Sequence, residues 1–116
     1  AALQVITIDE QKAKDYQYRP DFIQQYIFPG GMLPTKKQFE YSAKQVGLKC
    51  IEKLSFGGSY AKTLEMWNKQ FQKSWTDLSR FGFDIKFKRM WEFYFSYCET
   101  GFSNNSTDVS HFLIQK

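Results

Sequence analysis

The feature that most constrains the fold is a long helical repeat of apolar residues in the second half of the chain. From Ser59 onward, apolar side chains recur at spacings of 4, 3, 4, 4 and 3 residues, at Tyr60, Leu64, Trp67, Phe71, Trp75 and Leu78. This spacing places all of them on one face of an α-helix. Such a face must be covered, so the sequence predicts a long helix packed against other elements.

A second helix follows a short break. Gly82 predicts the end of the first helix, and Asp84 predicts an N-cap for a helix from about Ile85 to Phe102. Its apolar residues extend almost around the helix: Phe87, Met90, Trp91, Phe93, Tyr94, Phe95, Tyr97, Cys98 and Phe102. We therefore expect neighbours on more than one side of it.

The chain opens on a strand. Leu3 to Ile8 is nearly all apolar, which is typical of a strand buried on both faces of an α/β sheet. The strand is entered without an initiator methionine or a preceding turn. We therefore expect the chain to be the C-terminal part of a longer protein.

Shorter elements lie between and after these. The predicted elements are a helix opened by Asp21 and ended by Phe28–Gly31, a helix over Lys36–Gln45 after the N-cap Thr35, a strand over Leu48–Phe56 and a last strand over Val109–Gln115. In the Lys36–Gln45 helix, we expect Phe39, Ala43 and Val46 on the buried side. The order of elements predicts about half of an α/β sheet, and 116 residues predict a single folding unit.

Composition excludes several functional classes. The 19% of aromatic residues argues against disorder, and no apolar run is long enough to cross a bilayer. Cys50 and Cys98 lack the spacing of a zinc site or disulfide framework, and we expect reduced thiols in a cytoplasmic protein. The lone histidine, His111, excludes a two-histidine mechanism within the chain, and no metal site is predicted. A net charge of +4 with scattered basic residues favours anionic partners only mildly.

Four blocks of sequence add a family resemblance. They are Leu3–Ile8, Asp21–Pro34 with its YIFPGG run, Phe56–Leu64 with a Tyr-x-x-Thr-Leu run, and Phe87–Tyr94. Together they resemble the C-terminal portion of the cyclopropane-fatty-acyl-phospholipid synthase and mycolic-acid methyltransferase family. The resemblance implies the C-terminal half of a class I S-adenosylmethionine-dependent methyltransferase fold, with about three strands and several helices. The last strand would lie antiparallel between the other two, and the cofactor-binding half would precede Ala1.

The resemblance also implies an activity. The parent protein would use S-adenosylmethionine and bicarbonate to transfer a methylene to the double bond of an unsaturated phospholipid acyl chain. The bicarbonate-site positions fall on Gln4, Ile6 and Tyr60, and Phe28, Gly30 and Gly31 would lie near the substrate. Gln4 stands where the family has a histidine. An amide can donate a hydrogen bond to bicarbonate but cannot relay a proton.

The resemblance implies partners as well. We expect the parent at the inner surface of the membrane, where its acyl substrates lie, and we expect no nucleic acid partner. The 116 residues alone should be inactive, bind no cofactor and self-associate, because the first strand and the last helix would lack the missing half.

Each of these residues also has a purely structural interpretation. Gln4 would then be a satisfied residue at a sheet end, Tyr60 a core residue, and Gly30–Gly31 a chain reversal. Lys86–Arg89 is usually a solvated helix face, although at a membrane it could meet lipid phosphates. The alternative function is accordingly a non-catalytic aromatic and basic module that binds lipid, nucleic acid or protein.

Overall fold

A three-stranded sheet organises the chain, which a computed structural model describes over residues 1–116. The strands are β1 (Ala2–Ile8), β2 (Lys49–Ser55) and β3 (Thr107–Gln115). Their order is β1-β3-β2, and β3 is antiparallel to both neighbours. The predicted insertion of the last strand between the other two is therefore confirmed.

The helices also follow the sequence closely. They are α1 (Glu10–Tyr16), a π-helical turn (Ile23–Ile27), α2 (Lys36–Gln45), α3 (Gly57–Arg80) and α4 (Ile85–Ser103). The predicted caps are present, since Thr35 forms a capping box on α2 and Asp84 accepts from the Phe87 N–H at 2.8 Å on α4. None of the helices is both long enough and apolar enough to cross a membrane.

The sheet separates two helical layers. Val109 of β3 packs in the core of α3 and α4, together with Ala61, Leu64, Phe95 and Phe102. Phe112 points to the opposite face, where its ring lies 4.8 Å from that of Phe39 on α2. Because residues paired across antiparallel strands share a face, Ile6 points with Val109 towards α3 and α4.

Burial departs from the sequence prediction at β1. Leu3 is 43% exposed and Ile6 is 36% exposed, although a strand buried on both faces was expected. The reason is that β1 lies at the edge of the sheet and pairs only with β3.

Val46 is a second departure. It was expected on the buried side of α2, and it is instead 71% exposed. Val46 is the C-cap residue, with φ of −102° and ψ of 17°, so it has left the helical repeat that defines the buried face. The prediction for Val46 was wrong.

The remaining differences concern element boundaries. β2 has a register shift between Glu52 and Leu54, which explains its imperfect alternation and leaves Leu54 53% exposed. β3 begins at Thr107 rather than Val109, because Asp108 still pairs with Thr7 of β1.

Candidate functional site

A large cavity lies between β1, α1, the 28–33 turn and the α3–α4 hairpin. Its volume is about 750 Å³, within the usual range for small-molecule sites. Most of the residues that line it are hydrophobic. Its charged lining residues all come from α1 and the segment after it: Lys12, Asp15, Arg19 and Asp21. The cavity is therefore apolar along α3 and α4 and charged on the α1 side.

The structure brings four of the six predicted site residues to this cavity. Ile6, Phe28, Gly31 and Tyr60 line it. Gly30 does not, although its φ of +79° shows the chain reversal expected there. Gln4 does not line the cavity either.

Gln4 instead faces the only histidine. Its Oε1 lies 3.1 Å from Nε2 of His111, the residue paired with it across the strands. The His111 ring also lies edge-on to Phe56, with 4.8 Å between ring centroids. The sequence did not predict this contact, because residues 107 positions apart carry no local sign of it.

The backbone of Ile6 points away from the rest of the sheet. In an antiparallel pair, alternate residues direct their N–H and C=O groups to the partner strand. Ala1 and Ile114 exchange hydrogen bonds, and Asp9 N–H donates to Ser106, so the odd-numbered residues of β1 face β3. Ile6 therefore directs both backbone groups to the open edge of β1.

Tyr60 lies one turn into α3. Its ring packs edge-on against Phe102 at 5.1 Å and Trp67 at 5.9 Å between centroids. Both contacts are aromatic, and the ring is half-buried at the cavity wall. This position suits both the structural and the functional interpretation of Tyr60.

Asp108 fixes the start of α3 and was missed by sequence reasoning. Its Oδ1 accepts from the Gly57 N–H at 2.9 Å, in place of the N-cap residue Phe56, whose side chain cannot accept. Its Oδ2 accepts from Ser55 Oγ at 2.5 Å and lies 2.7 Å from Nζ of Lys36. The carboxylate of Asp108 on β3 therefore fixes the first turn of α3, which carries Tyr60.

An ion pair network surrounds Asp108. Nζ of Lys36 also lies 2.6 Å from Glu52, which accepts from Ser110 Oγ at 2.5 Å. Burial raises the pKa of Asp108, but hydrogen bonds from Lys36, Ser55 and the Gly57 N–H outweigh it and hold the pKa below its ordinary value. The network ties α2, β2 and β3 to the start of α3.

The titratable groups of α4 that line the cavity remain neutral at physiological pH. Burial, with the neighbouring Cys98, raises the pKa of Tyr94 to about 12, and burial raises the pKa of Cys98 to about 11. Burial and the hydrogen bond from its hydroxyl to Asp21 Oδ2, at 2.9 Å, raise the pKa of Tyr97 to about 12. These groups can donate hydrogen bonds, but they are poor bases near pH 7.

The YIFPGG run closes the cavity beside α4. The Phe28 ring lies edge-on to Tyr94, with 6.3 Å between centroids, and Gln24 Nε2 donates to the Gly31 carbonyl at 3.0 Å. A Cβ on Gly31 would come within 3.0 Å of the Phe28 carbonyl oxygen. A side chain at position 31 would therefore crowd the backbone of the turn itself.

This fold is part of the class I fold found in S-adenosylmethionine-dependent methyltransferases. Residues 1–112 match the family described as mycolic acid cyclopropane synthetase, and the chain belongs to that family. The family resemblance seen in the sequence is confirmed.

Curated relatives agree with this assignment. The chain is 37% identical over 109 residues to tuberculostearic acid methyltransferase UfaA1 of Mycobacterium tuberculosis, covering 93% of the chain and 26% of that protein. It is 31% identical over 81 residues to the cyclopropane-fatty-acyl-phospholipid synthase of Escherichia coli K12, covering 70% of the chain and 21% of that protein. The chain thus spans about a quarter of the curated relatives it matches.

A solved structure matches the fold. The mycolic acid cyclopropane synthase CmaA1, complexed with SAH and CTAB, superposes with a TM-score of 0.84 at 25% identity. The match covers 99% of this chain and 43% of CmaA1. The predicted fold class, a part of the methyltransferase fold, is therefore confirmed.

Proposed function

We propose that these residues form the C-terminal part of an enzyme that transfers a methylene group to the double bond of an unsaturated phospholipid acyl chain. The observation that carries the proposal is the largely apolar cavity that brings together Ile6, Phe28, Gly31 and Tyr60. An alkene needs such a lining, and aromatic faces stabilise a cation formed beside them. Family membership favours this function over a non-catalytic binding module.

In the proposed reaction, each bond that forms is matched by a bond that breaks. S-adenosylmethionine supplies the methyl group when bound. The alkene π electrons form a bond to the methyl carbon, and the bond between carbon and sulfur breaks. The carbocation left on the acyl chain then loses a proton from the transferred methyl group, and the electron pair of that carbon–hydrogen bond closes the ring. The site must be dry, because water would trap the cation.

The residues of this chain provide some of the hydrogen-bond donors that a small anion such as bicarbonate needs. The Ile6 N–H points to the open edge of β1 and is not used by the sheet, so it can donate to an anion. Tyr60 lines the same cavity, and a tyrosine hydroxyl can donate as well. The Gln4 amide shares the strand face of Ile6, but its oxygen already faces His111. Bicarbonate, when bound, supplies the base that takes up the proton.

The missing part of the enzyme belongs to the same proposal. The matched region covers 43% of CmaA1, and we propose that the S-adenosylmethionine site lies mainly in the remainder. The isolated 116 residues are then inactive and bind S-adenosylmethionine negligibly. Micromolar binding to the isolated chain in a calorimetric titration would contradict this.

Two methionines provide a matched test of the cavity. Met32 lines it and is 61% exposed, whereas Met66 lies on α3 outside the cavity and is 60% exposed. In the intact protein, we expect Met32→Lys to lower labelled methyl transfer to unsaturated phospholipid by about tenfold or more, because an acyl chain would have to share the site with a charge. Met66→Lys should leave the rate unchanged. Equal rates in both variants, or equal labelling of saturated phospholipid, would contradict the proposal.

A further inference from the structure

The α3–α4 hairpin projects from the sheet. The fully buried residues of α3 all lie in its first turns, at Gly57, Ala61 and Leu64, close to Val109 of the sheet. The 24 residues of α3 extend over about 36 Å, and the molecule is correspondingly elongated, at 51 × 28 × 26 Å. The turn between the helices is therefore far from the sheet. We call residues 81–89 the hairpin tip.

The hairpin tip exposes a cluster of apolar side chains. Phe81 is 82% exposed, Ile85 is 58% exposed and Phe83 is 41% exposed. The Phe83 ring packs on Phe87, with 4.5 Å between centroids, so the cluster continues into α4. Single exposed apolar residues are common, but three within five positions form a patch of the kind used to bind a partner or a membrane.

Basic residues surround this cluster. Residues 80 to 89 include four basic residues and one acidic residue, Asp84, whose carboxylate caps α4. The ion pairs near the tip are Arg80 with Asp77 at 3.2 Å and Lys88 with Glu92 at 3.4 Å. Lys86 and Arg89 make no ion pair.

We propose that the hairpin tip docks on the anionic surface of a phospholipid bilayer. Exposed Phe and Ile side chains can enter the boundary between headgroups and acyl chains, and lysine and arginine beside them can meet lipid phosphates. The charge of the tip is complementary to that surface. This inference rests on the proposed function, since the acyl substrate of the enzyme lies in such a bilayer.

The position of the cavity agrees with this docking. α4 runs from the hairpin tip to the cavity, whose wall begins at Phe93, eight residues after Ile85. That distance is about 12 Å along the helix axis. A docked tip would thus hold the cavity close to the membrane surface, where an acyl chain need leave the bilayer only partly.

Vesicle sedimentation tests the docking. The probe is the 116-residue chain with vesicles of phosphatidylglycerol and phosphatidylcholine, or of phosphatidylcholine alone, at two salt concentrations. We expect binding to the anionic vesicles to be stronger and to weaken with salt. Equal binding to both vesicle types would overturn the proposal.

Two pairs of variants locate the contact. Phe81→Ser should weaken binding to anionic vesicles by about tenfold, and Tyr41→Ser, at a site 63% exposed on α2, should not change it. Lys86→Gln should weaken binding by about fivefold, and Lys37→Gln on α2 should have little effect. Circular dichroism of each variant checks its helix content. Equal losses in the tip and α2 variants would place the contact elsewhere and overturn the proposal.

A separate measurement distinguishes this inference from the proposed function. In the intact protein, Phe81→Ser should retain methyl transfer to phospholipid dispersed in detergent micelles and lose it with intact vesicles. Equal transfer to micelles and vesicles would refute docking at the tip while leaving the enzymatic function standing. Loss of transfer to both would place Phe81 in the fold or the site rather than in membrane docking.

Discussion

Tyr60 has both a packing role in the fold and a proposed role in the reaction. Its ring contacts Phe102 and Trp67, and the residue lines the cavity. In the intact protein, Tyr60→Phe should keep these ring contacts and remove the hydroxyl. We expect turnover to fall, while the free energy of unfolding changes by only about 0.5 to 1.5 kcal/mol. Initial rates and urea denaturation measure the two effects.

The control for Tyr60 is an exposed tyrosine outside the cavity. Tyr41→Phe on α2 should change neither quantity, since Tyr41 is 63% exposed. Unchanged turnover in Tyr60→Phe would leave Tyr60 as a packing residue and remove it from the bicarbonate site.

Asp108 should make the free energy of unfolding depend on pH. Its pKa in the folded state is below its ordinary value, so its stabilisation is complete above the unfolded-state pKa and is lost as pH falls through the folded-state pKa. We expect Asp108→Asn to cost about 1 to 2 kcal/mol at neutral pH and to reduce the acid sensitivity of unfolding. Urea denaturation from neutral to acidic pH tests this. Asp77→Asn, at an exposed pair with Arg80, is the control, and an equally reduced acid sensitivity there would argue against a special role for Asp108.

The sequence predicted some of these residues better than others. Blocks of sequence that resemble a family pointed to Tyr60 and Ile6, and both residues line the cavity. Asp108 could not be found this way, because its partner Gly57 is 51 residues away and no local pattern around Asp108 indicates that contact. The contact between Gln4 and His111 could not be predicted either, because it depends on the register of β1 against β3.

At the scale of elements, the start of α3 is the most constrained point. A Cβ on Gly57 would lie 2.7 Å from Asp108 Oδ1 and 3.2 Å from its Cα, whereas a Cβ on Gly58 would have no neighbour within 4 Å. Asp108 is held by several hydrogen bonds and cannot easily move. We therefore expect Gly57→Ala to destabilise the fold by about 1 to 3 kcal/mol.

Gly58→Ala is the matched control for that variant. Alanine has the higher helix propensity, so Gly58→Ala should stabilise the fold by up to about 1 kcal/mol. Thermal unfolding of both variants makes the comparison. Equal effects of the two substitutions would show that Asp108 does not restrict the start of α3.

The long helices were predictable because their apolar repeat and their caps agree. The repeat from Tyr60 to Leu78 and the cap at Asp84 are local signals, and both elements formed where expected. The burial of β1 was not predictable from its own composition. Whether Leu3 and Ile6 are covered depends on which strands lie beside them, and no residue within β1 encodes that.

For the whole molecule, the main feature is the open edge of β1, which pairs only with β3. Ala2, Gln4 and Ile6 direct backbone groups to that edge, whereas the Ile8 N–H is already used by the Pro34 carbonyl at 3.0 Å. Unpaired edges beside apolar residues favour strand addition, so we expect the isolated chain to self-associate. Because Pro34 covers the Ile8 end, the twofold axis of an edge-paired dimer should lie nearer Gln4 than Ile8.

Proline at an edge position tests this arrangement. Gln4→Pro removes an N–H that points to the open edge and leaves the pairing with β3 intact, because the neighbouring odd-numbered residues make those hydrogen bonds. Val5→Pro should instead disrupt the pairing of β1 with β3. We expect Gln4→Pro to be folded and to shift the mass measured by light scattering towards the monomer, and Ile6→Lys to weaken association as well. A monomeric mass for the unmodified chain at high micromolar concentration, or an unchanged dimer in Gln4→Pro, would show that β1 does not pair through its edge.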